Sequence, residues 1–298
     1  MNQSQSMAQR NRRETAIASA VFLAPALLVI AIFIIYPIIQ SFITSGYDWN
    51  GYSSNRTFVG LANWTKLLGS KEFWSAFKNN LLVMVLSIVL QMPIGLALAT
   101  FLNYVGKKGD ICKVIWFIPM LMSSVAIGYL FRYALDPMTG FVTAISKAFG
   151  GKSVDLLGNP STVLLTCIVI IAWQFTPFYM VYYMAGYGGI PADIHEAAMV
   201  DGATESQYFW RVSLPLLKPS IKSAIVLSIV GSLKYFDLIY VMTGGGPGNA
   251  SELMATYMYS TAFESYQMGY ASAIASGMFI LISIIAIVTM KLLNRGED

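Results

Sequence analysis

Few reactive or ionisable side chains are present in this chain of 298 residues. It contains one histidine and two cysteines, and only 11% of its residues are charged. A single His195 is too little for a metal site built on histidines, and it leaves only one possible base for a Ser-His-Asp triad. Cys112 and Cys167 fall near opposite ends of their predicted spans and belong to no CxxC or Cys/His cluster. We therefore expect no catalytic residue, no metal site and no cofactor in this chain.

The scarcity of charge is matched by a high apolar content. Hydrophobic residues make up 56% of the chain, and its mean hydropathy is +0.61. A soluble domain has about 25% charged residues, so this composition favours a lipid bilayer as the solvent. The net charge of +4 is modest, and the absence of a basic patch argues against a nucleic-acid partner.

Six apolar stretches are long enough to cross a bilayer, which takes roughly 20 helical residues. Hydrocarbon leaves unpaired backbone groups unsatisfied, and the alternation of a barrel is absent, so we predict helices. The first stretch follows three arginines, as a signal peptide would, but its core is too long to be one. The fold class is therefore an all-α integral membrane protein with six transmembrane helices. They are predicted at 16–42, 80–103, 111–135, 161–186, 220–243 and 266–292.

The distribution of lysine and arginine predicts the orientation, because these residues are enriched in cytoplasmic loops. Both termini and the loop between the fourth and fifth spans are expected in the cytoplasm. This gives an N-terminal tail of 1–15, a single transmembrane domain of 16–293 and a C-terminal tail of 294–298. The predicted cytoplasmic flanks carry Arg10, Arg12, Arg13, Lys107, Lys108, Lys113, Arg211, Lys218, Lys222, Lys291 and Arg295. The opposite flanks carry Arg56, Lys66, Lys71, Lys78, Lys147 and Lys152.

The loop between the fourth and fifth spans is much longer than two adjacent helices need. Pro191 suits the first turn of a helix. Gly202 is placed to end that helix with a positive φ. A second helix is expected from near Thr204 or Ser206 to Pro215. The loop is therefore predicted to form two helices joined by a glycine turn.

The chemistry of this loop favours docking on a protein partner. Ala197 and Ala198 keep one face slim enough to enter a groove, while Glu196 and Asp201 place acidic groups at its rim. An amphipathic helix lying on the membrane is the alternative. Such helices usually carry lysine and arginine on their polar face, and this one is acidic.

The order Glu-Ala-Ala at 196–198, then Gly202, then Leu-Pro at 214–215 resembles the cytoplasmic loop of importer-type ABC permeases. The similarity covers nearly the whole chain. The segment 58–64 looks like the first external segment of maltose-type sugar permeases. The segment 236–248 looks like their fifth span and the loop that follows. The very large external insertion of the maltose permease itself is missing, so that individual protein is not implied.

The resemblance implies an ABC permease core of about 76–290 with a coupling loop at 188–219. It implies a homologous second permease subunit or a second copy of this chain, a cytoplasmic ATPase dimer, an extracytoplasmic solute-binding protein and surrounding membrane lipid. ATP would be bound by the ATPase, and the location would be the bacterial cytoplasmic membrane. The residues expected to couple to the ATPase are Glu196, Ala197, Ala198, Asp201 and Gly202.

Sugar recognition calls for aromatic faces with polar groups at their edge. Aromatic residues in membrane helices also serve packing and the interfacial belt, so the assignment depends on the resemblance. Lys234 and Asp237 are three residues apart in the predicted fifth span. They would share a helical face, forming a structural ion pair or leaving Asp237 to accept hydroxyl hydrogen bonds. The substrate candidates are Trp173, Tyr179, Tyr235, Phe236, Asp237 and Tyr240.

The predicted function is the permease subunit of a sugar importer, which performs no chemistry itself. Gly151-Lys152-Ser153 imitates the end of a P-loop but lacks the earlier glycine, so no ATP site is predicted. A permease of this family for glycerol-phosphate-type solutes is an alternative that needs cationic residues in the pore, where Lys234 and Arg132 are the candidates. An ion-coupled secondary transporter would need further carboxylates in the spans.

Overall fold

The computed structural model describes Thr15 and residues 18–294, and this part of the chain is mostly helical. The described residues divide into two compact units. The smaller one ends at Leu68 and resumes at Thr261–Gly277, and the larger one comprises Gly69–Ser260 and the chain from Met278 onward. Of the two predicted tails, only Thr15 and Asn294 are among the described residues. Four residues of the predicted cytoplasmic flanks therefore lie outside the described part: Arg10, Arg12, Arg13 and Arg295. The side chains of Lys107 and Lys108 also lie outside it.

The smaller unit contains a long apolar helix followed by a short β-hairpin. Asn63 fastens the hairpin, since its Nδ2 atom donates to the carbonyls of Ser45 and Tyr47 at 2.9 Å each. The two strands are antiparallel, with Tyr47 opposite Phe58. The elements are α1 (Ala18–Thr44), β1 (Tyr47–Asp48), β2 (Thr57–Phe58) and α2 (Ala62–Gly69), which reaches the boundary of the unit.

The larger unit is a helical bundle with short helices at its ends. Its first half consists of α3 (Lys71–Val105), α4 (Asp110–Leu121), α5 (Ser124–Ala134), α6 (Phe141–Ala148) and α7 (Val163–Gly188). Its second half consists of α8 (Ala192–Val200), α9 (Glu205–Leu216), α10 (Lys218–Ser232), α11 (Asp237–Thr243), α12 (Met254–Tyr259) and the later part of α13 (Met268–Asn294).

Among the described residues, four helices are long and apolar enough to cross a membrane by themselves: α1, α3, α7 and α13. They coincide with four of the six predicted stretches, although α3 begins earlier than predicted. Its start is set by Ser70, whose hydroxyl accepts the N–H of Phe73 at 3.1 Å. Two further pairs of helices are each bent at a short break: α4 with α5, and α9 with α10. If each pair crosses the membrane once, the number of spans rises to six.

Helices α3 and α7 pack side by side in the same direction. Near the middle, a Cβ added to Gly95 would lie 2.9 Å from the Cβ of Tyr179. Further along both helices, the hydroxyls of Thr100 and Tyr187 are 2.8 Å apart. Because the residue numbers rise together, the start of α7 lies at the end of the bundle opposite the end of α3.

The chain must therefore return across the bundle between α3 and α7. Helices α4 and α5 provide this return and meet at an angle of 91°. Pro119 lies in the last turn of α4, where its ring weakens the helix. Ser123 then caps α5 by accepting the N–H of Val125 at 3.3 Å. The third predicted stretch is thus helical but bent.

The prediction of one continuous helix over 220–243 is wrong. Helix α10 ends at Ser232 and α11 begins at Asp237. The fully buried Asn80 of α3 donates to the carbonyls of Ser232 at 3.5 Å and Leu233 at 3.3 Å. These contacts satisfy backbone groups that a helix end leaves free, so the break is stabilised from a neighbouring helix.

The interior of the larger unit consists of two apolar clusters. One joins Val83 and Ile127 to Ile171 and Ile239. The other joins Ala99 and the buried tyrosines of α7 to α10. Cys167 is buried in the first cluster while Cys112 is exposed, and both are free thiols. The clusters hold α3, α7, α10 and α11 together.

Candidate functional site

The loop predicted to dock on a partner forms two helices with a tight turn between them. Pro191 is the N-cap of α8, one position before the helix. The helix ends at Val200, and Gly202 follows with φ of +80°. A side chain is rarely found in this left-handed conformation, which explains a glycine here. The predicted glycine turn is confirmed.

The second helix begins where the sequence predicted. Thr204 accepts the N–H of Gln207 at 3.3 Å, and the Gln207 side chain accepts the N–H of Thr204 at 2.8 Å. This is a capping box, which satisfies two backbone donors at the helix start. Helix α9 then runs to Leu216, with a π-helical stretch at Phe209–Ser213. We call α8, the turn and α9 the coupling hairpin, after the role that the sequence predicts for it.

The two helices of the coupling hairpin are joined by a pair of side chains. The Nε2 atom of His195 lies 3.3 Å from Oε1 of Glu205. The imidazole also packs edge-on against the ring of Tyr208, with 4.7 Å between ring centroids. The sequence reasoning missed this pair, although a histidine and a glutamate on either side of a glycine turn were a usable signal.

The residues predicted to couple to an ATPase all lie on α8 and its turn. Glu196, Ala197, Asp201 and Gly202 are exposed, and Ala198 is half-buried. Their exposed side also includes Val200, which is 88% exposed. The structure thus brings the five predicted residues together on one outward-facing segment that mixes small, acidic and apolar side chains.

A cavity of about 890 Å³ lies between the coupling hairpin and the end of α3. Its wall combines aromatic rings with the His195–Glu205 pair. The lining includes Thr100, Tyr104, Tyr187, His195, Glu205 and Phe209.

The candidate substrate residues do not form a single group. Phe236 and Tyr240 stack with 5.1 Å between ring centroids, next to the exposed Asp237. Tyr259 completes this group at 5.2 and 4.9 Å from the two rings. The sequence reasoning missed Tyr259, because it lies nineteen positions after Tyr240, beyond a glycine-rich loop. We call Phe236, Tyr240 and Tyr259 the aromatic group.

The side chains of the other three candidates pack against different residues. Tyr179 is 5% exposed and belongs to the second apolar cluster. Tyr235 is half-buried against Phe175, with 5.4 Å between ring centroids. Trp173 packs edge-on against Phe131 at 5.5 Å. A packing role therefore accounts for the position of Tyr179, whereas Trp173 is 39% exposed.

The predicted shared helical face of Lys234 and Asp237 is wrong. Lys234 lies in the turn after α10, whereas Asp237 is the first residue of α11. The break between the helices removes the regular spacing that would have paired them. Both side chains are exposed.

Residues 73–297 match the model of a protein family described as "Binding-protein-dependent transport system inner membrane component". This match covers more than half of the chain. The chain belongs to this family. It is therefore a binding-protein-dependent permease of ABC importers and a multi-pass membrane protein, and its family is one of transport proteins, not enzymes.

Individual relatives resemble the permease over nearly its full length. It is 34% identical to the probable ABC transporter permease protein YurN of Bacillus subtilis, over 93% of this chain and 96% of that protein. It is 32% identical to the trehalose/maltose transport system permease protein MalF of Thermococcus litoralis, over 92% of both chains. These similarities confirm the predicted resemblance to sugar permeases.

The fold of the permease also matches a solved structure. A chain of the bacterial alginate ABC transporter, in complex with alginate pentasaccharide-bound periplasmic protein, superposes with a TM-score of 0.79. The two sequences are 25% identical, and the alignment covers 96% of the permease and 95% of that chain.

Proposed function

We propose that this chain is the membrane subunit of an importer that translocates an oligosaccharide delivered by an extracytoplasmic solute-binding protein. A separate ATPase dimer drives transport by docking on the coupling hairpin. The observation that carries the proposal is the outward face of α8, where four of the five predicted contact residues are exposed. Its left-handed turn and capped second helix present that face in a defined conformation.

Six spans account best for the path of the chain. The parallel packing of α3 and α7 requires a crossing between them, which supports counting α4 and α5 as one bent span. Helix α10 starts at the coupling hairpin and ends beside Asn80 near the other end of α3, which supports another crossing. With lysine and arginine enriched on one side, the hairpin and both termini are assigned to the cytoplasm of a bacterial cell.

The proposed mechanism uses the hairpin as the mechanical connection. ATP binding closes the ATPase dimer and displaces α8, and the helices that flank the hairpin move with it. A cavity then opens to the outside and receives sugar from the binding protein, and hydrolysis restores the inward-facing state. ATP is held by the partner, and this chain supplies no cofactor site.

The substrate class rests on the relatives and on the aromatic group. The Thermococcus MalF is named for trehalose and maltose, and the alginate transporter complex holds a pentasaccharide-bound protein. The rings of Phe236, Tyr240 and Tyr259 next to Asp237 suit the apolar face and hydroxyls of a sugar. Glycerol-phosphate-type solutes are the second candidate, for which Arg132 and Lys234 would supply the positive charge.

The proposal is tested by purifying the tagged chain from its host in mild detergent. The wild type is expected to bring an ATPase and a second permease subunit with it. Gly202→Trp should lose the ATPase, because a side chain is strained at φ of +80°. Gly69→Trp is the matched control, since Gly69 is exposed and has open space around its Cβ position.

Retention of the ATPase by Gly202→Trp would contradict docking on the hairpin. Recovery of the wild type alone, with solute transport in vesicles that lack ATP, would contradict the importer assignment. Loss of the ATPase in both variants would show general unfolding. In that case Ala197→Trp, on the exposed face of α8, distinguishes a docking defect from unfolding. That substitution adds bulk without backbone strain.

A further inference from the structure

Helix α6 exposes its apolar side and turns its polar side towards the protein. Phe141, Ala144, Ile145 and Ala148 follow the i, i+3, i+4, i+7 spacing of one helical face, and all four are exposed. Phe141 is 68% exposed, and Phe149, directly after the helix, is 90% exposed. A helix on a water-facing surface has the opposite arrangement.

The polar side of α6 is fastened to the segment that follows it. Thr143 is 1% exposed, and its hydroxyl accepts the N–H of Val154 at 3.2 Å and donates to the Val154 carbonyl at 3.3 Å. The Ser146 hydroxyl donates to the carbonyl of Lys152 at 2.8 Å. These bonds fix the rotation of α6 about its axis, so its apolar side cannot turn inward.

Gly151-Lys152-Ser153, the triplet that imitates the end of a P-loop, completes this attachment. The N–H of Gly151 donates to the Ser146 carbonyl at 2.8 Å, and the Ser153 hydroxyl donates to the Pro137 carbonyl. A Cβ added at Gly151 would lie 2.5 Å from the Ser146 hydroxyl oxygen. The glycine is explained by this close approach, and the triplet holds α6 in place.

We propose that α6 and Phe149 lie in the interface of the lipid bilayer, with the apolar side of the helix at the boundary of the acyl chains. The helix lies between the end of α5 and the start of α7, at the bundle end away from the coupling hairpin. Exposed apolar side chains continue onto both neighbours, with Tyr133 74% and Leu165 49% exposed.

Charge favours lipid over a protein as the occupant of this surface. Lys147 is exposed on α6 next to the apolar side, and Lys152 is exposed in the segment that follows the helix. Lysines at this position extend their ammonium groups towards lipid phosphates while their stems stay on apolar surface. The core of a protein interface is instead depleted of lysine. Membrane-surface helices show this combination of aromatic, aliphatic and basic residues.

The test measures which solvent surrounds α6 in the assembled transporter. A spin label is placed by Phe141→Cys or Ile145→Cys in a chain carrying Cys112→Ser and Cys167→Ala, and Lys147→Cys is the matched control. The complex is inserted into vesicles of phosphatidylcholine and phosphatidylglycerol. Collision of each label with oxygen, which enters hydrocarbon, is compared with collision with a water-soluble nickel chelate.

The expected result is an oxygen-to-nickel ratio several-fold higher at 141 and 145 than at 147. Free access of the nickel chelate to 141 and 145 would mean that water covers the helix. Weak collision with both reagents, or a change on adding the solute-binding protein, would mean that a protein covers it. Either outcome overturns the proposal. ATP-driven transport by the same vesicles reports the proposed function independently and shows that each variant is folded.

Discussion

Asn80 connects the start of α12 to the break after α10. Its side-chain oxygen accepts the N–H of Met254 at 2.9 Å, and its amide donates to the Leu233 carbonyl at 3.3 Å. The amide is fully buried, so it has no water to replace these partners. One side chain in α3 thus fixes two segments that are more than 150 residues away in sequence.

Replacing Asn80 with leucine should destabilise the bundle at this point. Each buried backbone group left without a partner costs about 1–3 kcal/mol. The expected result is a lower thermal unfolding midpoint in detergent and loss of transport. Asn55→Leu, at an exposed position, should leave the midpoint unchanged. Equal midpoints for both variants would show that the break does not depend on Asn80.

The close approach of α3 and α7 predicts intolerance of any side chain at Gly95. Alanine would place its Cβ 2.9 Å from Cβ of Tyr179 and 3.1 Å from the Met180 nitrogen. Overpacking of this kind costs about 1–3 kcal/mol. Gly231→Ala, with open space around its Cβ position in α10, should not destabilise the chain. Thermal unfolding of the two variants side by side is the measurement.

The His195–Glu205 pair predicts a small but measurable effect on docking. The side chains are 40% and 49% exposed, and such pairs contribute about 0.2–1 kcal/mol. Glu205→Gln should therefore weaken ATPase binding by less than about tenfold. A titration of the ATPase against wild type, each single variant and the His195→Ala/Glu205→Gln double variant measures the coupling. Additive single effects would show that the pair does not act as a unit.

Transport kinetics test the proposed role of Asp237. A charged hydrogen bond to a sugar hydroxyl is worth about 1.5–3 kcal/mol, so Asp237→Asn should reduce uptake efficiency roughly tenfold to a hundredfold. ATPase binding should not change, because the 15 residues of α10 lie between the coupling hairpin and this residue. Asp110→Asn, also exposed, is the control. Normal uptake by Asp237→Asn would remove this residue from the substrate site.

The turn before α6 should open in acid. Hydrogen bonds from the backbone N–H of Thr139, and then of Met138, lower the pKa of Asp136 below its ordinary value. A lowered pKa in the folded state means that the turn gains stability above the unfolded pKa and loses it as the pH falls through the folded one. Amide exchange at 138 and 139, corrected for intrinsic rates, should accelerate only in that acid range. Asp136→Asn should remove this pH dependence.

The lengths of the apolar stretches, together with the residues that begin and end helices, were sufficient to predict most of the bundle. Four predicted stretches coincide with α1, α3, α7 and α13, because length and hydropathy are the features that identify a candidate membrane helix. The turn at Gly202 and the helix start near Thr204 were also predictable, since a left-handed turn and a capping box depend only on neighbouring residues. The helix–turn–helix structure of the coupling hairpin could therefore be predicted from its own sequence.

The missed features depend on contacts between distant residues. The break after Ser232 is held by Asn80, which no local pattern around residue 232 reveals. Tyr259 joins the aromatic group only through the folding of the loop before α12. The reversed polarity of α6 depends on whether Thr143 and Ser146 find partners, and those partners lie in the segment after the helix.

The length of helix α7 affects how movement can pass through the permease. Its 26 residues span about 39 Å at 1.5 Å per residue. The coupling hairpin follows its last turn, and the segment that holds α6 precedes its first turn. In the proposed mechanism, a displacement of the hairpin is transmitted along this single helix to the opposite end of the bundle, where an α6 held in the lipid interface would resist it.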